Sequence, residues 1–318
     1  MSEPLQLTTL GEALIVMDPL SKGPLRHVGR FEKHLGGAEF NVAVGLSRLG
    51  HGVGWAGRLG DDEFGEEILA FARGEEVDVS RAGLDPEAPT GLYFKEWRAL
   101  GQLRVHYYRM GSAASRMQID KLDVQYLLSG QILHLTGITA ALSESCHELI
   151  DRLISAANDR GVTVSFNVNV RRGLLDLRDP REILGPLAAR ADLLFLSEGE
   201  AKLLFGGSDP GYVREARQDI RAATVVHRAE GAFAVEDTGV SEMAAYPVDM
   251  VDTVGAGDAF VAGFLSGRLR GWNTGECLDM ANACGAYAVT VPGDLKGLPT
   301  AEEALALRRG LGSQDAER

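Results

Sequence analysis

The stretch VDTVGAGDAFVAG, Val251 to Gly263, sets one carboxylate, Asp258, behind two glycines and in front of an apolar run. Glycines let a backbone turn with positive φ and aim successive N–H groups into one concave site. Where such a turn feeds a helix, those donors and the helix dipole together favour an anion. Asp258 then has two readings. It could cap the helix, worth about 1 kcal/mol, or it could be a general base that takes the proton from a hydroxyl attacking a phosphoryl group. In the second reading the N–H groups of Gly255, Ala256 and Gly257 hold the phosphoryl oxygens as charge develops. The stretch by itself leaves both open.

Other spacings close off chemistry. GVGWAG, residues 52–57, matches GxGxxG with an acid, Asp78, about twenty residues on, but its glycines follow a helix pattern and lie on a strand pattern, the wrong order for a dinucleotide fingerprint. No GxxxxGK[ST], HExxH or GxSxG occurs, and the seven histidines are scattered without zinc spacing.

The elements that must position Asp258 alternate along the chain. LQLTTLGEALIVM, GVGWAGRLG, QILHLTG, VTVSFNVN, ADLLFLS and ATVVHR read as strands. NVAVGLSRLG, DEFGEEILAFARGEEV, SESCHELIDRLISAANDRG, EGEAKLLFG, the run after Gly255 and GECLDMANACGAYAVT read as helices. This alternation predicts an α/β fold, a mostly parallel sheet covered by helices on both faces. Two stretches differ: GPLRHVGRFEKHLGG and TGLYFKEWRALGQLRVHYYRM alternate polar and apolar residues, and the second carries a turn at ALGQ. They predict a small antiparallel sheet with one open face, inserted at about 12–36 and 90–110 as a lid or an oligomer surface. Strand periodicity puts Val105, Tyr107 and Arg109 on one face of this hairpin, and Tyr93, Lys95 and Trp97 on one face of its partner. That face offers phenols and a guanidinium, and a guanidinium matches a carboxylate through two parallel hydrogen bonds.

The 318 residues are 45% hydrophobic and 24% charged, with a formal net charge of −13. The composition is that of a globular chain, here read as one domain over 1–318, and the negative charge disfavours nucleic acid as a partner. Three cysteines without a CxxC pair, no basic leader before the first short apolar run and no apolar run of membrane length predict a cytoplasmic protein with no membrane partner. The half-polar lid strands GRFEKHL and YFKEW leave edges that pair across subunits in many proteins, so a homo-oligomer is the expectation.

Taken together, GGAEFNVAVGLSRLG (36–50), GRLGDDEFGEEI (57–68) and DTVGAGDAFVAG (252–263) resemble the signatures of the ribokinase-like, or PfkB, carbohydrate kinases, at the chain positions that family uses. The resemblance implies a three-layer α/β/α domain with a small β lid, ATP as phosphoryl donor, Mg2+, and a sugar hydroxyl as acceptor. Within the family, TGLYFKEW, VHYYRMGSAAS, HLTGITAALS, VNVR and FLSEGEAKLLFG are similar to the 2-keto-3-deoxygluconate kinases, which implies a sugar acid phosphorylated on its terminal hydroxyl; a fructokinase, another sugar kinase or a binding paralogue without turnover share the scaffold. Carried over by motif, Asp258 is the base and Gly255, Ala256 and Gly257 the anion hole. Gly37, Asn41, Tyr93, Tyr107, Arg109 and Arg171 contact the sugar. Ser197, Glu200, Gly231 and Asn282 lie on the nucleotide side, with Glu200 near Mg2+ through phosphates or water. The ribokinase branch further implies a monovalent cation near Asp252, for which a strand-end hydrogen bond is the plainer role. Two departures stand out: NVNVR has Asn167 where the family has Asp, and VVHRAEG shortens the loop at His227.

Overall fold

The computed structural model describes residues 4–98, 102–175, 178–217, 220 and 222–310. The turn at ALGQ, except for Gln102, and the tail GSQDAER lie outside them. The strands run in chain order β1 (Leu7–Leu10), β2 (Leu14–Pro19), β3 (Phe31–Gly36), β4 (Val53–Ala56), β5 (Arg58–Gly60), β6 (Gly83–Asp85) and β7 (Leu92–Trp97). They continue with β8 (Leu103–Tyr108), β9 (Ile132–Thr136), β10 (Thr163–Asn167), β11 (Leu193–Ser197), β12 (Ala223–Arg228), β13 (Gly231–Glu236) and β14 (Gly239–Ala244).

Eight strands form the central sheet in the order β14-β13-β12-β11-β10-β9-β1-β4. The six from β4 to β12 are parallel, and β13 runs antiparallel to both of its neighbours, β12 and β14. The parallel strands are buried along most of their length because both faces are covered, polar residues such as Thr8, Thr9, His134 and Ser165 included. On β11, Leu193 and Phe195 pack with the helices Ala38–Arg48, Ala256–Leu269 and Thr274–Ala288, while Leu194 and Leu196 pack with Glu144–Arg160 and Pro180–Ala188 on the other side. This is the three-layer α/β/α arrangement of the ribokinase-like fold.

Helices Ala256–Leu269 and Thr274–Ala288 meet closely. A Cβ on Gly263 would lie 2.7 Å from the Met280 carbonyl oxygen, and one on Gly267 would lie 2.8 Å from Cys277 Sγ. The two thiols of the second helix, Cys277 and Cys284, are buried and unpaired, and burial pushes them up to about 11 and about 12.

The second sheet, in the order β3-β2-β7-β8, draws its strands from 14–36 and 92–108. Leu14, Val16, Tyr93 and Val105 cluster on its inner face. On its outer face Phe94 meets Phe31 and Tyr108 edge-on, at 5.2 and 5.7 Å.

Three strand expectations are corrected. LQLTTLGEALIVM is two strands, β1 in the central sheet and β2 in the lid, broken at Gly11, where a Cβ would run into the Glu39 carboxyl. GVGWAGRLG is likewise β4 and β5 in different sheets, since at Gly57 a Cβ would lie 2.6 Å from the Gly11 carbonyl oxygen. In GPLRHVGRFEKHLGG, β3 is a strand, and Leu25–His27 is a 3-10 turn.

Candidate active site

Asp258 stands in the first turn of the helix Ala256–Leu269, whose N-cap, Gly255, has φ 79°. The first N–H groups of a helix lack partners within it. Among the described residues the amides of Gly255, Gly257 and Asp258 find no acceptor, while that of Ala256 makes a long 3.4 Å contact to the Thr253 carbonyl. The free donors at this turn therefore include the amide of Asp258 itself, with Ala256 partly engaged.

The turn sits where three adjoining chambers meet, at the carboxyl ends of β10, β11 and β12, the usual ligand position in an open α/β sheet. The first, about 320 Å3, lies under the lid and is lined by Gly37, Asn41, Tyr93, Lys95, Tyr107, Arg109, Arg171, Gly255, Asp258 and Asp294, among others. The second, about 330 Å3, shares Arg171, Gly255 and Asp258 with it and adds Asn167, Asn169, Ser197, Glu200, His227 and Gly257. The third, about 450 Å3 and mostly apolar, shares His227 and Gly257 and adds Tyr246, Val248, Met250, Phe260, Asn282 and Val289. Two wider hollows, each about 850 to 860 Å3, open elsewhere on the surface and contain neither the Asp258 turn nor any lid residue.

Asn41, in the first turn of the helix Ala38–Arg48, donates from Nδ2 to Asp258 Oδ2 at 2.8 Å, and its Oδ1 is buried without a partner. Gly37 precedes that helix with φ 146°, where a Cβ would run into the Glu12 carbonyl, so the chain can pass close under the lid. Burial raises Asp258 to about 7; the Asn41 hydrogen bond and the Arg171 charge lower it, and Asp294 and Glu39 raise it. A carboxyl poised there can accept a proton near neutral pH.

On the lid, Tyr93 is buried, packs against Tyr107 with ring centres 5.5 Å apart and tilted by 60°, and donates from its hydroxyl to Asp294 Oδ2 at 3.4 Å. Arg109 lines the chamber but is not a free cation. It pairs with buried Glu12, which also accepts from Ser112 Oγ at 3.3 Å, and it lies 5.1 Å over the Tyr107 ring. Arg171 is exposed, and its guanidinium makes a 3.4 Å contact to the carbonyl of Val170.

Ser197 and Glu200 form a capping box at the end of β11. Glu200 Oε2 accepts from the Ser197 amide at 2.7 Å and Oε1 from the Val170 amide at 2.6 Å, so this carboxylate fastens the chamber wall. Asn282 lines the third chamber while holding the carbonyls of Met243 and Ala244 at 3.0 and 2.9 Å. The structure does not bring Gly231 to the cleft: with φ 141° it packs where a Cβ would run into the Met243 carbonyl, a hairpin position. The shortened VVHRAEG loop is that tight hairpin between β12 and β13, and it places His227 between the second and third chambers, its ring 5.4 Å from Phe260. Burial lowers the His227 pKa.

Several site residues went unread in the sequence. Lys95 belongs to no motif, although a period of two places it on one face with Tyr93. Asp294 lies in a loop, PGDLKG, that carries no motif. It is buried and pushed up to about 6, with the Lys95 charge acting against burial. Glu39, within GGAEFN, is fully buried, accepts from the hydroxyls of Thr136 and Thr139 at 2.6 and 2.5 Å, and is raised by burial. Asp252 accepts from the amides of Val254 at 3.1 Å and Gly293 at 3.2 Å, the plainer role.

A helix-mouth acid, unpaired amides and a lid of phenols and cations thus meet at the junction of the three chambers. Residues 5–301 match the pfkB family carbohydrate kinase profile, and the chain belongs to that family. It is 36% identical over 313 residues to a 2-dehydro-3-deoxygluconokinase of Thermoproteus tenax (96% of this chain, 95% of that protein), and 37% identical over 304 residues to one of Bacillus subtilis strain 168 (94% of each). A probable chloroplastic fructokinase-6 of Arabidopsis thaliana is 34% identical, covering 92% of this chain and 79% of that protein. Among solved structures, a PfkB protein from Polaromonas sp. JS666 superposes with TM-score 0.85 at 36% identity, covering 95% of this chain and 99% of that one. A putative ribokinase II from E. coli in complex with ATP and Mg2+ superposes with TM-score 0.89 at 25% identity, covering 96% and 99%.

Proposed function

We propose that this carbohydrate kinase transfers the γ-phosphoryl group of ATP to the terminal 6-hydroxyl of 2-keto-3-deoxygluconate. The observation that carries the reading is Asp258, held by Asn41 at the junction of the lid chamber and the unpaired amides. A sugar in the lid chamber presents its hydroxyl to Asp258. As the oxygen attacks phosphorus, its proton passes to the carboxylate and the bond to the ADP oxygen breaks. The amides of Gly255 and Gly257, joined by that of Asp258, receive the charge that builds on the phosphoryl oxygens. The apolar third chamber suits a base and ribose, with His227 at its mouth.

No group of three or more His, Cys, Asp and Glu suited to a metal occurs among the described residues. This fits Mg2+, which keeps several waters and binds through substrate phosphates and one or two carboxylates. Glu200 is the carboxylate on that wall, and the ion would neutralise phosphate charge.

The names of the Thermoproteus and Bacillus relatives support the sugar acid, as does Arg171 beside the lid chamber. The engagement of Arg109 by Glu12 favours a second reading, a neutral sugar such as fructose, because it leaves Arg171 as the open cation. The chemical step is tested by Asp258→Asn. It should keep the fold and lower kcat by about 10²–10⁴-fold; turnover near wild type would remove Asp258 from the base role.

A further inference from the structure

Lys95 is among the largest fully buried side chains, 1% exposed on the inner face of β7. Three carboxylates surround its Nζ: Asp18 Oδ2 on β2 at 3.3 Å, Asp252 Oδ2 at 3.9 Å and Asp294 Oδ1 at 3.8 Å. None of these contacts has hydrogen-bond geometry, so the bond is one of charge. The three acids belong to segments far apart in the chain: the lid, the approach to the Gly255 turn, and the loop after the helix Thr274–Ala288.

Two of those segments fix the turn. Asp252 joins them by accepting from the Val254 and Gly293 amides. Asp294 backs directly onto the turn, since a Cβ on Gly255 would lie 2.6 Å from its carbonyl oxygen. Asp252 and Asp294 repel each other, and each raises the cost of bringing a phosphoryl anion to the neighbouring amides. A buried positive charge between them offsets both effects.

We propose that Lys95 is a positioning residue: its ammonium, carried by the lid, holds the Asp252 and Asp294 segments together and so sets the Gly255–Asp258 amides for phosphoryl transfer. The lid thereby does more than cover the sugar; it supplies the charge that assembles the anion hole. This rests on the reading of those amides as the anion hole. A lysine that merely fills the lid interior would affect stability and substrate binding. A lysine that sets the amides acts on the transition state, and a small cation can replace it.

The test is steady-state phosphorylation by wild type, Lys95→Ala and Lys95→Gln in potassium, ammonium and tetramethylammonium chloride at equal ionic strength, on a sugar that the wild type phosphorylates. Wild type should turn over equally in all three salts. Lys95→Ala should lose kcat on the order of 10²-fold, keep KM for sugar and ATP, and regain kcat in potassium or ammonium chloride but not in tetramethylammonium chloride, whose cation is too large for the space. An unchanged kcat, a loss confined to KM, or a loss that no small cation relieves would overturn the proposal. Lys95→Gln fills the space without charge and reads out if the alanine variant fails to fold: a lowered kcat supports the tie and a full kcat overturns it. A wild type active on another sugar but not on 2-keto-3-deoxygluconate contradicts the substrate reading instead, and the comparison of variants stands apart from it.

Discussion

At the scale of single residues, Asp258 is a half-buried acid whose protonation is set by competition. Burial, Asp294 and Glu39 push its pKa up to about 7, against the Asn41 hydrogen bond and Arg171. A base must be unprotonated, so kcat/KM should rise with pH and level off above a midpoint near that value. Stability should move the other way. The folded form binds the proton more tightly than the unfolded chain, so Asp258 contributes full stability below its unfolded pKa of about 4, and that contribution is lost as pH rises through about 7. Asp258→Asn should therefore melt higher than wild type at about pH 8, with the gap closing toward about pH 4. A flat rate profile through neutrality, or a variant that melts lower at the alkaline end, would contradict this. Much of the site was readable: the two glycine motifs, the lid alternation and VNVR pointed to Gly37, Asn41, Tyr93, Tyr107, Arg109, Arg171 and Asp258, which line one chamber. The pairing of Arg109 with Glu12 was not readable, because Glu12 sits in what looked like the middle of a strand. Lys95 and Asp294 were hidden for a related reason. A lysine on an alternating strand normally points to water, and an Asp after Pro-Gly normally belongs to a surface turn. Their burial is a property of four segments converging, which no local window contains.

At the scale of elements, the helix Ala256–Leu269 must hold Asp258 in register with Asn41 on the helix Ala38–Arg48, and it does so by close packing against Thr274–Ala288. Gly267 tests that packing against propensity. Alanine is the better helix former by about 1 kcal/mol, but its Cβ would meet Cys277 Sγ at 2.8 Å and Cys277 Cα at 3.0 Å. Overpacking of this kind costs roughly 1–3 kcal/mol, so Gly267→Ala should lower the denaturant midpoint, with the pH midpoint of kcat/KM unchanged. A raised midpoint would show that the helices have room to part. The parallel strands and long helices were readable because apolar runs and 3.6-residue periods are local signals. The breaks at Gly11 and Gly57 were not. At each, a group distant in the chain, the Glu39 carboxyl or the Gly11 carbonyl, occupies the space a side chain would need. The shortened VVHRAEG loop was readable as a length, but its result was not: a tight hairpin that hands His227 to the cleft and takes Gly231 away from it.

At the scale of the whole molecule, the cleft is assembled between two bodies of different character. The central sheet supplies the ends of β10 to β12 and the helix turn, and the lid supplies Tyr93, Lys95, Tyr107 and Arg109 from its inner side. Among the described residues no helix is long and apolar enough to cross a membrane. The molecule carries a net charge of −13, and in the lid chamber Arg109 is matched by Glu12 and Lys95 by Asp294, which leaves Arg171 as the cation there open to an anionic ligand. An open guanidinium acts locally against a global negative field. The most direct test of the account is the initial rate of ATP consumption on a panel of 2-keto-3-deoxygluconate, its galactonate epimer, fructose and ribose. The account predicts the highest kcat/KM on 2-keto-3-deoxygluconate; a preference for fructose or ribose, or no turnover of any of the four, would contradict it.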